Sequence, residues 1–244
     1  MPNNVKKMTI NYSPNFDLVK RNKKKIKYLI FHYTGMKSEI SAIKKLTNSN
    51  SNVSCHYFIC NNGDIIRLLP DLYTAWHAGV SAWKKDKFLN KFSIGIELSN
   101  PGHQHGYRKF SNKQINSLVK ISRILIKKYK IKKKYILGHS DIAPLRKKDP
   151  GEKFPWKNLS KKKIGVWHNV SSKTCKKNRL KKIEIQKNKF LIYLEKFGYN
   201  VKHKNNSDLK KIIMSFQRRF RPEIINNFFD LECLNIIKSL NLNK

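Results

Sequence analysis

An α/β fold, with a mixed central sheet flanked by helices and a small helical unit after it, is what this 244-residue sequence predicts. Three observations carry the expectation. Residues 27–33 and Ser93 to Leu98 are almost continuously apolar, as strands buried on both faces are. A long amphipathic segment, Ser111 to Tyr129, separates them from another short apolar run, Tyr135-Ile136-Leu137. Three apolar-periodic segments, Phe190 to Tyr199, Leu209 to Phe220 and Phe229 to Leu240, then close the chain as a small bundle would.

Taken in order, the first strand carries His32 near its carboxyl end. Ser38 can cap a helix reaching Thr47, with Ile40, Ile43 and Leu46 on one face. Ser54 to Ile59 and Asp64 to Leu69 are β-rich and joined by Cys60-Asn61-Asn62-Gly63, a hairpin signal because Asn and Gly tolerate positive φ. That puts His56 on a strand, where packing and hydrogen bonding are its expected role. Leu72 to Trp83 reads as an aromatic-rich loop, a binding surface or a packed pair of tryptophans. Glu97 is the one carboxylate inside a buried strand, costly unless it is paired, metal-bound or catalytic. Ser111 with Gln114 forms a capping box, and Ile115, Leu118, Val119, Ser122, Leu125, Ile126 and Tyr129 keep helical spacing.

Composition bounds the function classes. Fifty-three Lys and Arg against 15 Asp and Glu give a net charge of +38, which suits a polyanion. The lysines are scattered, however, and no zinc finger, basic zipper or RNP-type aromatic pattern accompanies them, so no specific nucleic-acid function is expected. A hydrophobic fraction of 39% argues for a folded chain. Cys55, Cys60, Cys175 and Cys233 form neither a C-x-x-C pair nor a dense framework, so no disulfide scaffold or structural zinc cluster is indicated. No signal peptide and no transmembrane stretch is legible, which points to the cytoplasm or to export by a route the sequence does not show.

The stretch Gly138 to Gly151 concentrates chemistry. His139 follows the apolar run, Asp149 comes ten residues later, and Arg146 and Lys147 stand between them. A catalytic metal site takes three protein ligands and leaves one position open. His32, His139 and Asp149 would supply them, and Asp141, two residues from His139, is an alternative that chemistry alone leaves standing. His103 and His105 lie on a Gly-bounded loop and are given no metal role.

Five blocks occur in register: Phe31-His32-Tyr33-Thr34, Ser54-Cys55-His56-Tyr57-Phe58-Ile59, Trp76-His77-Ala78-Gly79, Ile94-Gly95-Ile96-Glu97-Leu98 and Gly138 to Gly151. Together they resemble the zinc-dependent N-acetylmuramoyl-L-alanine amidases, over residues 10–160, and among these the type with a C-terminal peptidoglycan-binding domain. The resemblance implies one zinc ion held by His32, His139 and Asp149, with Lys147-x-Asp149-Pro150-Gly151 as the reason for choosing Asp149 over Asp141. It implies Glu97 as general base, Lys147 as stabiliser of the oxyanion, and Trp76, His77 and Arg146 as substrate contacts. The expected substrate is peptidoglycan or a muropeptide, cut between N-acetylmuramic acid and L-alanine by a monomer. A non-catalytic peptidoglycan-recognition protein is the alternative.

Residues 161–188 are expected to be a linker and 189–244 a three-helix peptidoglycan-binding-like domain. Phe197-Gly198-Tyr199 and Phe216 to Pro222 carry that second resemblance. The usual Asp-Gly turn before Phe228 and the expected Thr are absent, which weakens the case for glycan binding more than the case for the fold.

Overall fold

The computed structural model describes residues 9–182 and 186–242. The chain begins β1 (Thr9–Ile10), β2 (Phe16–Asp17), β3 (Tyr28–Tyr33), α1 (Glu39–Thr47), β4 (Tyr57–Ile59) and β5 (Ile65–Arg67). Two small ribbons involve β6 (Thr74–Ala75), β7 (Ala82–Trp83) and β8 (Asp86–Lys87), followed by β9 (Ser93–Leu98), α2 (Asn112–Tyr129) and β10 (Ile136–Gly138). Six further helices complete it among the described residues: α3 (His139–Ile142), α4 (Trp156–Lys161), α5 (Ser172–Asn178), α6 (Lys187–Phe197), α7 (Asn206–Phe220) and, last, α8 (Leu231–Leu242).

Six strands form one mixed sheet in the order β1-β5-β4-β9-β3-β10. Only the β4–β5 hairpin is antiparallel. Its turn works as the sequence suggests: Gly63 takes φ +86° and its N–H bonds back to Cys60 O at 2.9 Å. The regular strand begins at Tyr57; His56 just before it still bonds to Gly95 O through its N–H, but its carbonyl accepts from both Leu68 N–H and Leu69 N–H, which breaks the regular pairing there. On α1 the Ser38 hydroxyl caps Ser41 N, but Ala42 and Leu46 face inward while Ile40 is 69% exposed. The i, i+4 pair is the one that reaches Phe58 and Leu68.

Alternation along β3 explains the layers. Leu29 and Phe31 join Ile94, Ile96 and Ile136 in a core closed by the buried face of α2, whose Ser111–Gln114 capping box is formed in both directions. Tyr28 and Ile30 point to the other face and share a core with Trp83, Leu137, Phe197, Tyr199, Phe216 and Phe220. The C-terminal helices therefore cover the second face of the sheet. In the stretch expected to be a linker, α5 buries Cys175, and Leu231 N bonds Lys181 O at 3.0 Å; residues 183–185 lie outside the described residues. Gly198 is required where α6 meets this core, because a Cβ there would fall 2.2 Å from Trp83. Trp83, one of the two loop tryptophans, is thus a core residue.

Candidate metal centre

β10, β3 and β9 are parallel neighbours, and their carboxyl ends converge where open α/β sheets place their sites. His32 is in register with Glu97, so both project from the same face of the sheet. Gly138 is level with Phe31, which brings the next residue, His139, beside His32 as the first residue of α3. Asp149 returns to the same point on the loop that follows, held by Ser140 N–H to Asp149 O at 2.8 Å. A Cβ on Gly138 would stand 2.6 Å from Pro150 Cδ, so that fold-back needs glycine.

His32 Nδ1 lies 3.0 Å from His139 Nδ1 and 3.1 Å from Asp149 Oδ2, and His139 Nδ1 lies 3.0 Å from the same carboxylate oxygen. All three residues are buried. Burial, reinforced by the neighbouring His139, pushes the His32 imidazole down to about 4. The two histidines hold the Asp149 carboxyl well below the usual carboxylate range despite its burial. His32 therefore offers a neutral imidazole and Asp149 a carboxylate. His139 Nε2–H donates to Ala78 O at 3.2 Å, which turns the Nδ1 lone pair inward. Tetrahedral zinc with bonds of about 2.0–2.1 Å separates its ligand atoms by about 3.3 Å, close to these distances, and a nitrogen, nitrogen, oxygen donor set suits it. The residues fit the ion.

Glu97 faces the same cleft, and its Oε2 is buried with no hydrogen-bond partner among the described residues. Burial, with the Asp149 charge adding to it, raises Glu97 to about 8; Lys147 is close enough to oppose that rise. Lys147 also lines the cleft, as does Trp76, whose indole N–H donates to Asp17 at 2.8 Å.

Two expected substrate contacts have partners inside the protein. His77 is held between His32 Nε2 and Ser93 Oγ, both at 3.0 Å. Arg146 donates to Ala78 O and, at 2.9 Å, to Val80 O, so its planar fork stitches the 78–80 loop to the 143–149 loop. Asp141, the alternative ligand, points away from the cleft to accept from Gly138 N, Tyr199 OH and Arg219. His56 is packed and bonded, accepting from Gly95 N–H at 3.1 Å. His103 bridges Tyr33 and Glu152 at the cleft rim. Ser93 and Gly95 escaped the sequence reading, although a glycine inside a buried central strand is a known mark of close approach.

Residues 22–152 match the family model described as N-acetylmuramoyl-L-alanine amidase. The chain is 35% identical over 230 residues to the N-acetylmuramoyl-L-alanine amidase AmiD of Escherichia coli, covering 88% of this chain and 82% of that one. It is 42% identical over 105 residues to the 1,6-anhydro-N-acetylmuramyl-L-alanine amidase AmpD of Haemophilus influenzae, covering 43% of this chain and 55% of the relative. Among solved structures, the complex of E. coli AmiD with anhydro-N-acetylmuramic acid-L-Ala-D-gamma-Glu-L-Lys superposes with a TM-score of 0.81 at 32% identity, over 93% of this chain and 92% of that one. AmpDh3 from Pseudomonas aeruginosa gives 0.80 at 29% identity, over 97% and 99%. The family match spans the strands that bring His32, Glu97, His139 and Asp149 together, and the structural match continues through the C-terminal helices; the chain belongs to the N-acetylmuramoyl-L-alanine amidases.

Proposed function

We propose that this chain is a zinc-dependent amidase that hydrolyses the amide between the lactyl group of N-acetylmuramic acid and the L-alanine of a peptidoglycan or muropeptide stem, with one zinc per chain held by His32, His139 and Asp149. The observation that carries the reading is the buried trio of donor atoms within 3.1 Å of one another. Zinc held there supplies Lewis acidity, lowering the pKa of water to about 7 and polarising a carbonyl.

The remaining steps fall to the chain's own residues. Glu97, unpaired at Oε2, takes one proton of the attacking water and passes it to the departing nitrogen of L-alanine; the second water proton leaves the new carboxylic acid for the freed amine, so that the products are a lactyl carboxylate and an ammonium. Lys147 offers its ammonium to the oxyanion that forms as the carbonyl is attacked. Trp76 lines the cleft as an apolar wall for the substrate, while Arg146 acts by holding the 78–80 loop. The division into a catalytic part, residues 10–160, and a helical part, residues 189–244, belongs to this proposal. The helices spend their apolar faces on the sheet, which supports a buttressing role for them. The substrate class is supported by the AmiD and AmpDh3 complexes, which hold anhydromuramic peptides.

Mass spectrometry of products from sacculi and from soluble anhydro-muropeptides, with and without chelator, tests the proposal. Free stem peptides beginning with L-alanine, released only with metal present, are expected. No cleavage of either substrate by the zinc-loaded protein would leave a recognition protein.

A further inference from the structure

The line of hydrogen bonds behind His32 has a direction that can be read from one end. The Ser93 hydroxyl lies 2.6 Å from Leu89 O, and a carbonyl can only accept, so the single Ser93 proton points there. The Ser93 oxygen is then an acceptor for His77 Nε2 at 3.0 Å, which must carry the His77 proton. His77 Nδ1 is left with a lone pair, and 3.0 Å away it meets His32 Nε2, which must donate. With its one proton committed there, His32 turns the Nδ1 lone pair toward His139 and Asp149. The adjoining carbonyl of Ala78 performs the same service for His139 Nε2 at 3.2 Å.

The backbone is built to hold this arrangement. Asn90 Oδ1 accepts from both His77 N–H at 3.1 Å and Ala78 N–H at 2.7 Å, fixing the dipeptide that serves both histidines. The His77 ring lies where a side chain on Gly95 would be, with a Cβ there only 2.5 Å from His77 Cγ. The glycine in the middle of β9 is explained by that ring.

We propose that His77 is a positioning residue: through the Ser93–Leu89 line it sets the His32 tautomer and ring orientation, so that the Nδ1 lone pair is presented before any metal arrives. This rests on the metal-site reading above, and the same dipeptide orients His139 through Ala78 O.

The test uses the full chain, labelled with nitrogen-15 at its histidines, read by long-range proton–nitrogen correlation in the metal-free and zinc-loaded states, with zinc affinity measured by chelator competition. In the metal-free wild type, His32 and His77 are expected to be protonated at Nε2. His77→Leu removes the acceptor; His32 should then populate the Nδ1–H form, and zinc should bind roughly tenfold to a hundredfold more weakly. His77→Gln can accept from His32 and donate to Ser93, and should restore most of the affinity. Gly95→Ala displaces the ring without altering its chemistry and should resemble His77→Leu. A purely structural role would lower stability without moving the His32 tautomer. If His32 keeps Nε2–H in both His77→Leu and Gly95→Ala and zinc binds as in wild type, the proposal is overturned. Should His77→Leu fail to fold, Ser93→Ala, which frees His77 to take either tautomer, decides by the same signals. A wild type that binds no zinc would end the metal reading alone, since the metal-free spectra still report the tautomers.

Discussion

Glu97 is where residue chemistry is most exposed to test. Its carboxyl sits in a buried strand without a partner at Oε2, raised to about 8 from an ordinary value of 4.5. A folded-state value above the unfolded one means that folding favours the protonated form. The contribution of this group to stability is therefore highest below pH 4.5, falls as pH rises to about 8, and is level above that. Metal-free Glu97→Gln should be more stable than wild type at pH 8–9, by an amount bounded at about 5 kcal/mol, and the difference should vanish near pH 4.5 in urea titrations. In the zinc-loaded enzyme the same substitution should cost roughly two to four orders of magnitude in turnover while metal content is unchanged. Lys147→Ala should lower kcat about a hundredfold or more; an effect confined to KM would make Lys147 a binding residue instead.

At the scale of elements, the short helix α3 joins the metal site to the C-terminal helices. His139 opens it, and two residues later Asp141 accepts from Gly138 N–H at 2.8 Å, from Tyr199 OH at 2.7 Å and from Arg219. Ser215 of α7 donates to Ser140 O at 2.6 Å, and the Arg219 guanidinium lies 4.1 Å over the Trp156 ring. Both members of the Arg219–Asp141 pair are buried, so removing one leaves an uncompensated charge. Arg219→Ala should lose about 3–5 kcal/mol of stability in denaturant titration. A loss below about 1 kcal/mol would show that α7 does not hold α3 through this pair.

For the whole molecule, a metal that binds only the folded chain stabilises it by mass action. Free zinc at about 1,000 times its Kd contributes about 4 kcal/mol, so chelation should lower the melting temperature by roughly 8–16 °C. A melting curve indifferent to chelator would remove zinc from the fold's energetics. The large shared core of sheet and C-terminal helices implies that the described parts melt together, since Tyr28, Ile30 and Leu137 are covered by residues some 60 to 190 positions away in the chain. No helix in the described residues is long and apolar enough to cross a membrane.

What could be read from residues alone is what depends on local spacing. Apolar runs define β3 and β9, the Ser111–Gln114 box starts α2, and the histidine after Leu137 and the carboxylate in β9 mark strand ends with chemistry on them. Spacing cannot say which distant group meets a side chain. Asp141 and Asp149 were both ligands on chemical grounds, and the choice became geometric only when Arg219, 78 residues further on, claimed Asp141. Arg146 looked free to meet a carboxylate until the 78–80 loop supplied its carbonyls, and Trp83, open between a binding surface and a packed core, is placed in the core by Gly198 against it. Periodicity determines which face a residue occupies; the partner on that face is set by long-range packing, and only the folded chain brings it there.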